Sequence, residues 1–314
     1  MHALEGALER LHFSSTLYCA YCTNRSPWGI GLGASRAVQF HAVRSGRATI
    51  RVQGGKTVAI AAGDFVVLPH GDAHEVTDSR ETRAVPAPEL LRSLPQTNRW
   101  IVSLGKNGEL SRLICAGFAC VAGSVNPLLS FLPRIIHLRA GETSSLEPIL
   151  VLAEREMRSP GCATAAILAR LAEILMVESV RTYVNTLRPG QGGLLGALHD
   201  PQIAAVLCAI HEQPARQWTL AGLAAAAAMS RTSLATRFHA LVGTPVQAYI
   251  RRFRMIIAAS LLEDPHRPKL AHVAEEVGYG SESAFSRAFL REMGAAPTKL
   301  HPRPGGKPRA ELSA

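Results

Sequence analysis

The sequence predicts an α+β chain of more than one domain, with a β-rich N-terminal barrel plus helices and an all-α C-terminal domain. Three observations predict it. Up to about residue 122, β-branched and aromatic runs (VQFHAV, ATIRV, TVAIA, DFVVLP, WIVSL) alternate with Gly, Pro and Asp breaks. From about 199 to 300, apolar residues recur at helical spacing. Between them TLRPGQGG, Thr186 to Gly193, concentrates a proline and three glycines and reads as a connector. The expected division is a β-rich domain over 1–185, a linker over 186–198, a helical domain over 199–301 and a disordered tail over 302–314.

The β-rich part closes with a helical stretch from about 127 to 185. There Ile167, Leu171 and Ile174 recur at four- and three-residue steps, and Leu168 and Leu175 widen the stripe. Beyond the connector a unit occurs twice, as TLAGLAAAAAMSRTSLATRFHALVGTP and as LAHVAEEVGYGSESAFSRAFLREMGAAP. In the first copy Thr219 and Ser230 stand where helix N-caps belong, and Gly243 stands where a left-handed residue ends a helix. Leu234, Phe238 and Leu241 fall on one inward face. In the second copy Gly278 makes the corner, Phe285 and Phe289 point inward, and Gly294 is the stop.

This pattern is a pair of helix-turn-helix units, in which one helix braces a second that fits the major groove of DNA. The residues left for base edges are Arg231, Thr232, Ser233 and Thr236 in the first copy. In the second they are Glu282, Ser283, Ser286 and Arg287. Arg pairs with guanine, Glu accepts from cytosine, and Ser and Thr tolerate either role. AYIRRFRMIIAASLLED is expected to form one helix joining the copies, with Ile250, Phe253, Ile257 and Leu261 inward. Arg251, Arg252 and Arg254 are then expected to stay in water near phosphates. Such a connector would space the reading helices by about 34 Å, one duplex turn. A plain helical bundle is the alternative, but two matching copies argue against it.

VGYGSESAFSRAFLREMGAAPTKL resembles the signature of AraC/XylS-type transcription regulators, and the likeness extends over roughly 199–301. It implies a sequence-specific DNA-binding regulator with double-stranded promoter DNA and RNA polymerase as partners, and no catalysis or cofactor. Where the family usually ends the second unit with an aromatic-Arg pair, this chain has Leu300-His301, and Arg303 is the substitute for a phosphate contact.

GDFVVLPHGDAHEVTD resembles the second motif of cupins, with Gly63, Pro69, Gly71 and His74 in place. The first motif, which supplies the other metal ligands, is empty. Counting back from Gly46, its Glu position is Gln39 and its His positions fall near Gly33 to Ser35; His41 is out of step. A single imidazole does not hold a divalent ion, so no metal is expected. A metal-dependent cupin enzyme with an accessory helical domain is the rival class. Cupin-like domains ahead of AraC-type domains imply a sensor that dimerises through helices like those at 144–184.

Cys19, Cys22, Cys115 and Cys120 lie in the β half. They read as small buried hydrophobes, as a redox pair, or as a Cys-x2-Cys and Cys-x4-Cys zinc site. The cupin-fronted subgroup includes oxidant-responsive members, and by position in that resemblance the pair is Cys22 and Cys115. A regulator sensing a small organic ligand in the barrel is a further alternative. Cys162 and Cys208 fall on helices and are expected to be core.

The formal net charge is +10, of which +6 falls in residues 201–314, compatible with a polyanionic partner without proving one. No run approaches the roughly 18 apolar residues that a membrane span needs, and the start lacks an apolar signal core. The expectation is a cytoplasmic protein, and with six cysteines the default there is free thiols.

Overall fold

A computed structural model of the 314-residue chain describes residues 13–35, 37–93, 100–120, 132–187, 191, 193–262 and 268–300. The chain divides into two compact units, with the break between Leu187 and Arg188.

The N-terminal unit is built on strands β1 (Phe13–Arg25), β2 (Gly29–Leu32), β3 (Ala37–Ser45), β4 (Arg47–Val52), β5 (Thr57–Ala61), β6 (Phe65–Leu68), β7 (His74–Thr77), β8 (Val85–Pro86), β9 (Ile101–Leu104), β10 (Leu110–Cys120) and β11 (Ile136–Leu138). A short helix α1 (Ala87–Ser93) follows β8. One sheet has the order β11-β6-β3-β10-β1-β9 and the other β5-β4-β7-β2-β8. Ala20, Cys22, Val43, Val66, Leu113 and Cys115 of the first sheet share a core with Ile50, Val52, Ile60 and Val76 of the second. Alternation along β1 sends Ala20, Cys22 and Asn24 to this inner face and Cys19 to the outer one.

The returning strand of the cupin-like stretch depends on Gly71. Its φ is +66°, and a Cβ there would come within 2.2 Å of the Ser35 carbonyl oxygen, so only glycine fits the turn. It delivers His74 to the first position of β7.

Helices α2 (Glu147–Arg158) and α3 (Thr164–Thr186) cover the outer face of the six-stranded sheet. Leu150, Ala153, Leu168, Leu171 and Leu175 meet Phe40, Phe65, Ile114 and Phe118 there. Arg44, on the outer face of β3, forks onto Glu147 at 2.6 and 2.7 Å and reaches Glu154 at 3.3 Å. That ties α2 to the strand by charge as well as by apolar burial. Ile167 and Ile174, placed in the inward stripe by spacing alone, are instead 38% and 51% exposed beside the buried Leu168, Leu171 and Leu175.

The C-terminal unit is helical: α4 (Leu194–Ala197), α5 (Pro201–Glu212), α6 (Leu220–Ala226), α7 (Arg231–Val242), α8 (Val246–Leu262), α9 (Leu270–Glu276), α10 (Glu282–Met293) and α11 (Pro297–Leu300). Residues 194–197, assigned by sequence to the linker, depart from that expectation. They form a helical turn whose Leu194 and Ala197 are buried in the first core of the unit. The tail assigned to 302–314 lies outside the described residues.

Two cores lie side by side, and α8 serves both. Val246, Tyr249, Ile250 and Phe253 belong to the first, with Leu223, Leu234 and Phe238. Met255, Ala258 and Leu262 belong to the second, with Val273, Val277, Phe285 and Phe289. Among the described residues, no helix is long and apolar enough to cross a membrane.

Candidate nucleic-acid interface and barrel core

The two helices expected to read bases are built alike. Ser230 caps α7 by accepting from the amide of Ser233 at 3.1 Å, and Ser281 caps α10 by accepting from that of Ala284 at 3.3 Å. Each cap is worth about 1 kcal/mol. Gly243 and Gly294 close the helices in the left-handed region, at φ +83° and +70°. Leu234 and Phe238, or Phe285 and Phe289, hold the inner face.

Arg231, Thr232, Ser233 and Thr236 are exposed on α7, and Glu282, Ser283 and Arg287 are exposed on α10. Ser286 is half-buried. Arg237, also exposed on α7 and not among the sequence candidates, pairs with Asp200 at 2.5 Å and bonds Gln202 at 3.0 Å. Its position four residues after Ser233 was the available signal, but its partners give it a structural task.

The connector arginines separate. Arg252 is exposed, and Arg251 is half-exposed, 3.5 Å from Glu292. Arg254, expected to stay in water beside a phosphate, is instead buried, with 7% exposure. Its guanidinium donates to the carbonyls of Pro214 at 2.8 Å, Ala215 at 3.3 Å and Arg216 at 2.8 Å. The physical reason is helical phase. Arg254 lies four residues after Ile250 and three before Ile257, on the inward side of α8. Arg254 is therefore no candidate for the phosphate role.

Inside the barrel the structure corrects the reading of His74 as a lone imidazole. His41 Nε2 lies 2.8 Å from His74 Nε2, and both side chains are buried. His74 Nδ1 lies 2.8 Å from the Asp72 carbonyl oxygen, which only accepts. Nδ1 of His74 therefore carries the proton, its Nε2 accepts, and Nε2 of His41 donates. That leaves Nδ1 of His41 a bare lone pair, buried and without a hydrogen-bonding partner. Burial pushes both imidazoles below the ordinary histidine range, His41 well below it with His74 adding to the effect. The side-chain amide of Asn24 and Nε1 of Trp28 are likewise buried without partners. Tyr18 donates to Gln39 Oε1 at 2.7 Å nearby in the same strands.

Cys22 and Cys115 come together on the inner face. Cys22 pairs with Leu113, and Ala20 with Cys115, so the two cysteines are diagonal neighbours on antiparallel strands. Cys22 Sγ donates to the Ala20 carbonyl at 3.8 Å, and the neighbouring Cys22 thiol together with burial pushes Cys115 well above the usual thiol range. Cys19, on the outer face, is 3.3 Å from Met157 Sδ, and burial raises its thiol to about 12. The side chain of Cys120 lies outside the described residues. Cys162 and Cys208, expected in the core, are exposed and half-buried. Among the described residues, no group of three or more His, Cys, Asp or Glu is placed to hold a metal ion.

A β-rich domain with a buried polar centre, joined to a domain with two capped helix-turn-helix units, defines a DNA-binding transcription regulator with a cupin sensor domain. A family model described as Cupin matches residues 2–185, and one described as Helix-turn-helix domain matches residues 223–303. An AraC-like transcription regulator of Streptomyces lividans is 32% identical over 299 residues, covering 94% of this chain and 95% of that protein. The chain belongs to the AraC family of transcription regulators. The RCS-specific HTH-type transcriptional activator RclR of Escherichia coli (strain K12) is 26% identical over 288 residues, 90% of this chain and 91% of that protein. The solved DNA-binding domain of AdpA, in complex with a target DNA, is 29% identical with a TM-score of 0.31, covering 32% of this chain and 90% of that one.

Proposed function

We propose that α7 and α10 both read base edges of one promoter site. Arg231, Thr232, Ser233 and Thr236 serve the first half-site, and Glu282, Ser283, Ser286 and Arg287 the second. Arg251 and Arg252 face phosphates. The observation that carries this reading is the matched pair of Ser-capped helices whose first turns are exposed. Footprinting on duplexes selected from a random pool tests it: protection of a single half-site would overturn it. Dimerisation through α2 and α3 is supported by Val151, Leu152, Ile167 and Ile174, which α2 and α3 leave exposed. RNA polymerase is the partner through which a bound regulator of this class acts.

The signal on this reading is an oxidant, sensed by Cys22 and Cys115. Two thiols give up two electrons and two protons to a peroxide, which becomes two waters as the sulfur–sulfur bond forms. The neighbouring thiols support it, as does the RCS-specific activity named for the relative from Escherichia coli. Mild oxidation followed by thiol labelling and mass mapping is the test. DNA binding that responds to oxidant while both cysteines stay reduced would sink the pair. The unpartnered Asn24, Trp28 and His41 atoms favour a second reading, a small polar organic ligand in the barrel. A thermal shift with such a ligand, without thiol chemistry, would select it.

A further inference from the structure

We infer that Arg254 is a positioning residue that locks the two helix-turn-helix units into one register along the duplex. This rests on the proposal that both units read DNA. Three segments meet at its guanidinium. It springs from the middle of α8, the helix shared by both cores. It grips three successive carbonyls of the loop that carries the chain from α5 into α6, the first helix of the first unit. Its Cζ also stands 5.9 Å from the centre of the Tyr279 ring, which belongs to the corner before α10.

The same loop touches that corner directly. Gln217 Nε2 donates to the Gly278 carbonyl at 2.6 Å. Gly278, at φ +78°, runs so close that a Cβ would come within 2.3 Å of the Ala215 carbonyl oxygen. The turn of the second unit is thus stacked on the entrance to the first, with Arg254 as the pin through both.

A pin is needed because α8 is a lever. Its 17 residues span about 25 Å at 1.5 Å per residue. A bend of about 10° would move its far end by about 4 Å, more than the ~3.4 Å rise of one base step. A register error of that size puts the second reading helix on the wrong base pair. The planar guanidinium suits the task because its fixed fork reaches several carbonyls at once, which an ammonium on a flexible stem does not.

The test uses the full chain and duplexes recovered by selection, with one base pair then inserted between the half-sites. Binding is measured at matched salt. Wild type is expected to lose about tenfold or more on insertion, and R254K about threefold or less, with equal affinity for isolated half-sites. Q217A, which alters an exposed loop residue and spares the core, is expected to relax the spacing in the same direction and decides the matter should R254K misfold. If R254K folds, or Q217A in its place, and weakens binding equally at all spacings, the pin is wrong. If wild type itself tolerates the insertion, the two-site reading fails and the pin fails with it.

Discussion

His41 and His74 approach each other Nε2 to Nε2 at 2.8 Å in the barrel, one from each sheet. Both are held neutral by burial, with the hydrogen bond to the Asp72 carbonyl, and after it the Asp72 carboxylate, pulling His74 the other way. Below pH 6.5 the unfolded chain takes up protons that the folded barrel refuses. Stability is therefore complete above that pH and falls as the pH drops. The slope approaches about 1.4 kcal/mol per pH unit per histidine, until the folded value is reached.

Replacing His41 by Gln should flatten this loss. Asp72 and Glu147, whose carboxyls are held low by Arg134 and Arg44, contribute only at lower pH. Melting of the N-terminal unit between pH 7.5 and 5.5, compared between wild type and the variant, isolates the part that the buried pair contributes. A variant with an unchanged acid slope would contradict the neutral pair.

Phe285→Ala should destabilise the C-terminal unit by about 3–5 kcal/mol. The ring is fully buried, 6.0 Å from Tyr279 and 5.6 Å from Phe289. Denaturant unfolding of the C-terminal unit measures it, and a loss below about 1 kcal/mol would mean that the core closes around the gap.

Arg287→Ala should leave folding unchanged, since its side chain is exposed. Specific binding should weaken by about 1–3 kcal/mol, with relaxed preference at one base position. A variant equally weakened on all sequences would make Arg287 a phosphate contact.

Arg44→Ala removes the cation shared by Glu147, which is half exposed, and the more buried Glu154, which keeps Arg158 at 3.4 Å. A cost of about 1–2 kcal/mol follows, between the values for exposed and buried pairs. Hydrogen exchange of α2 should rise before that of β3.

The helical half was legible because its rules are local. Caps at Thr219 and Ser230, stops at Gly243 and Gly294 and the inward Phe238, Phe285 and Phe289 all follow from spacing within a few residues. The cluster of Arg251, Arg252 and Arg254 hides the inward phase of Arg254, which only its three- and four-residue offsets from Ile257 and Ile250 reveal. His41 and His74 were not legible together. They meet only through the pairing of β3 with β6 and of β7 with β4, contacts between strands far apart in the chain. Counting from a motif cannot supply that register.

The three-residue step from Cys19 to Cys22 decides which sulfurs can ever react together. On a helix such a step would bring both thiols to one side. On β1 it leaves one thiol facing Met157 and the other facing Cys115, with the thickness of the sheet between them. The Cys-x2-Cys pair here faces two different neighbours, although Cys22 still adds to the upward push on the Cys19 thiol. Deleting one residue between them would turn both to the same side and join two chemistries that the strand keeps apart.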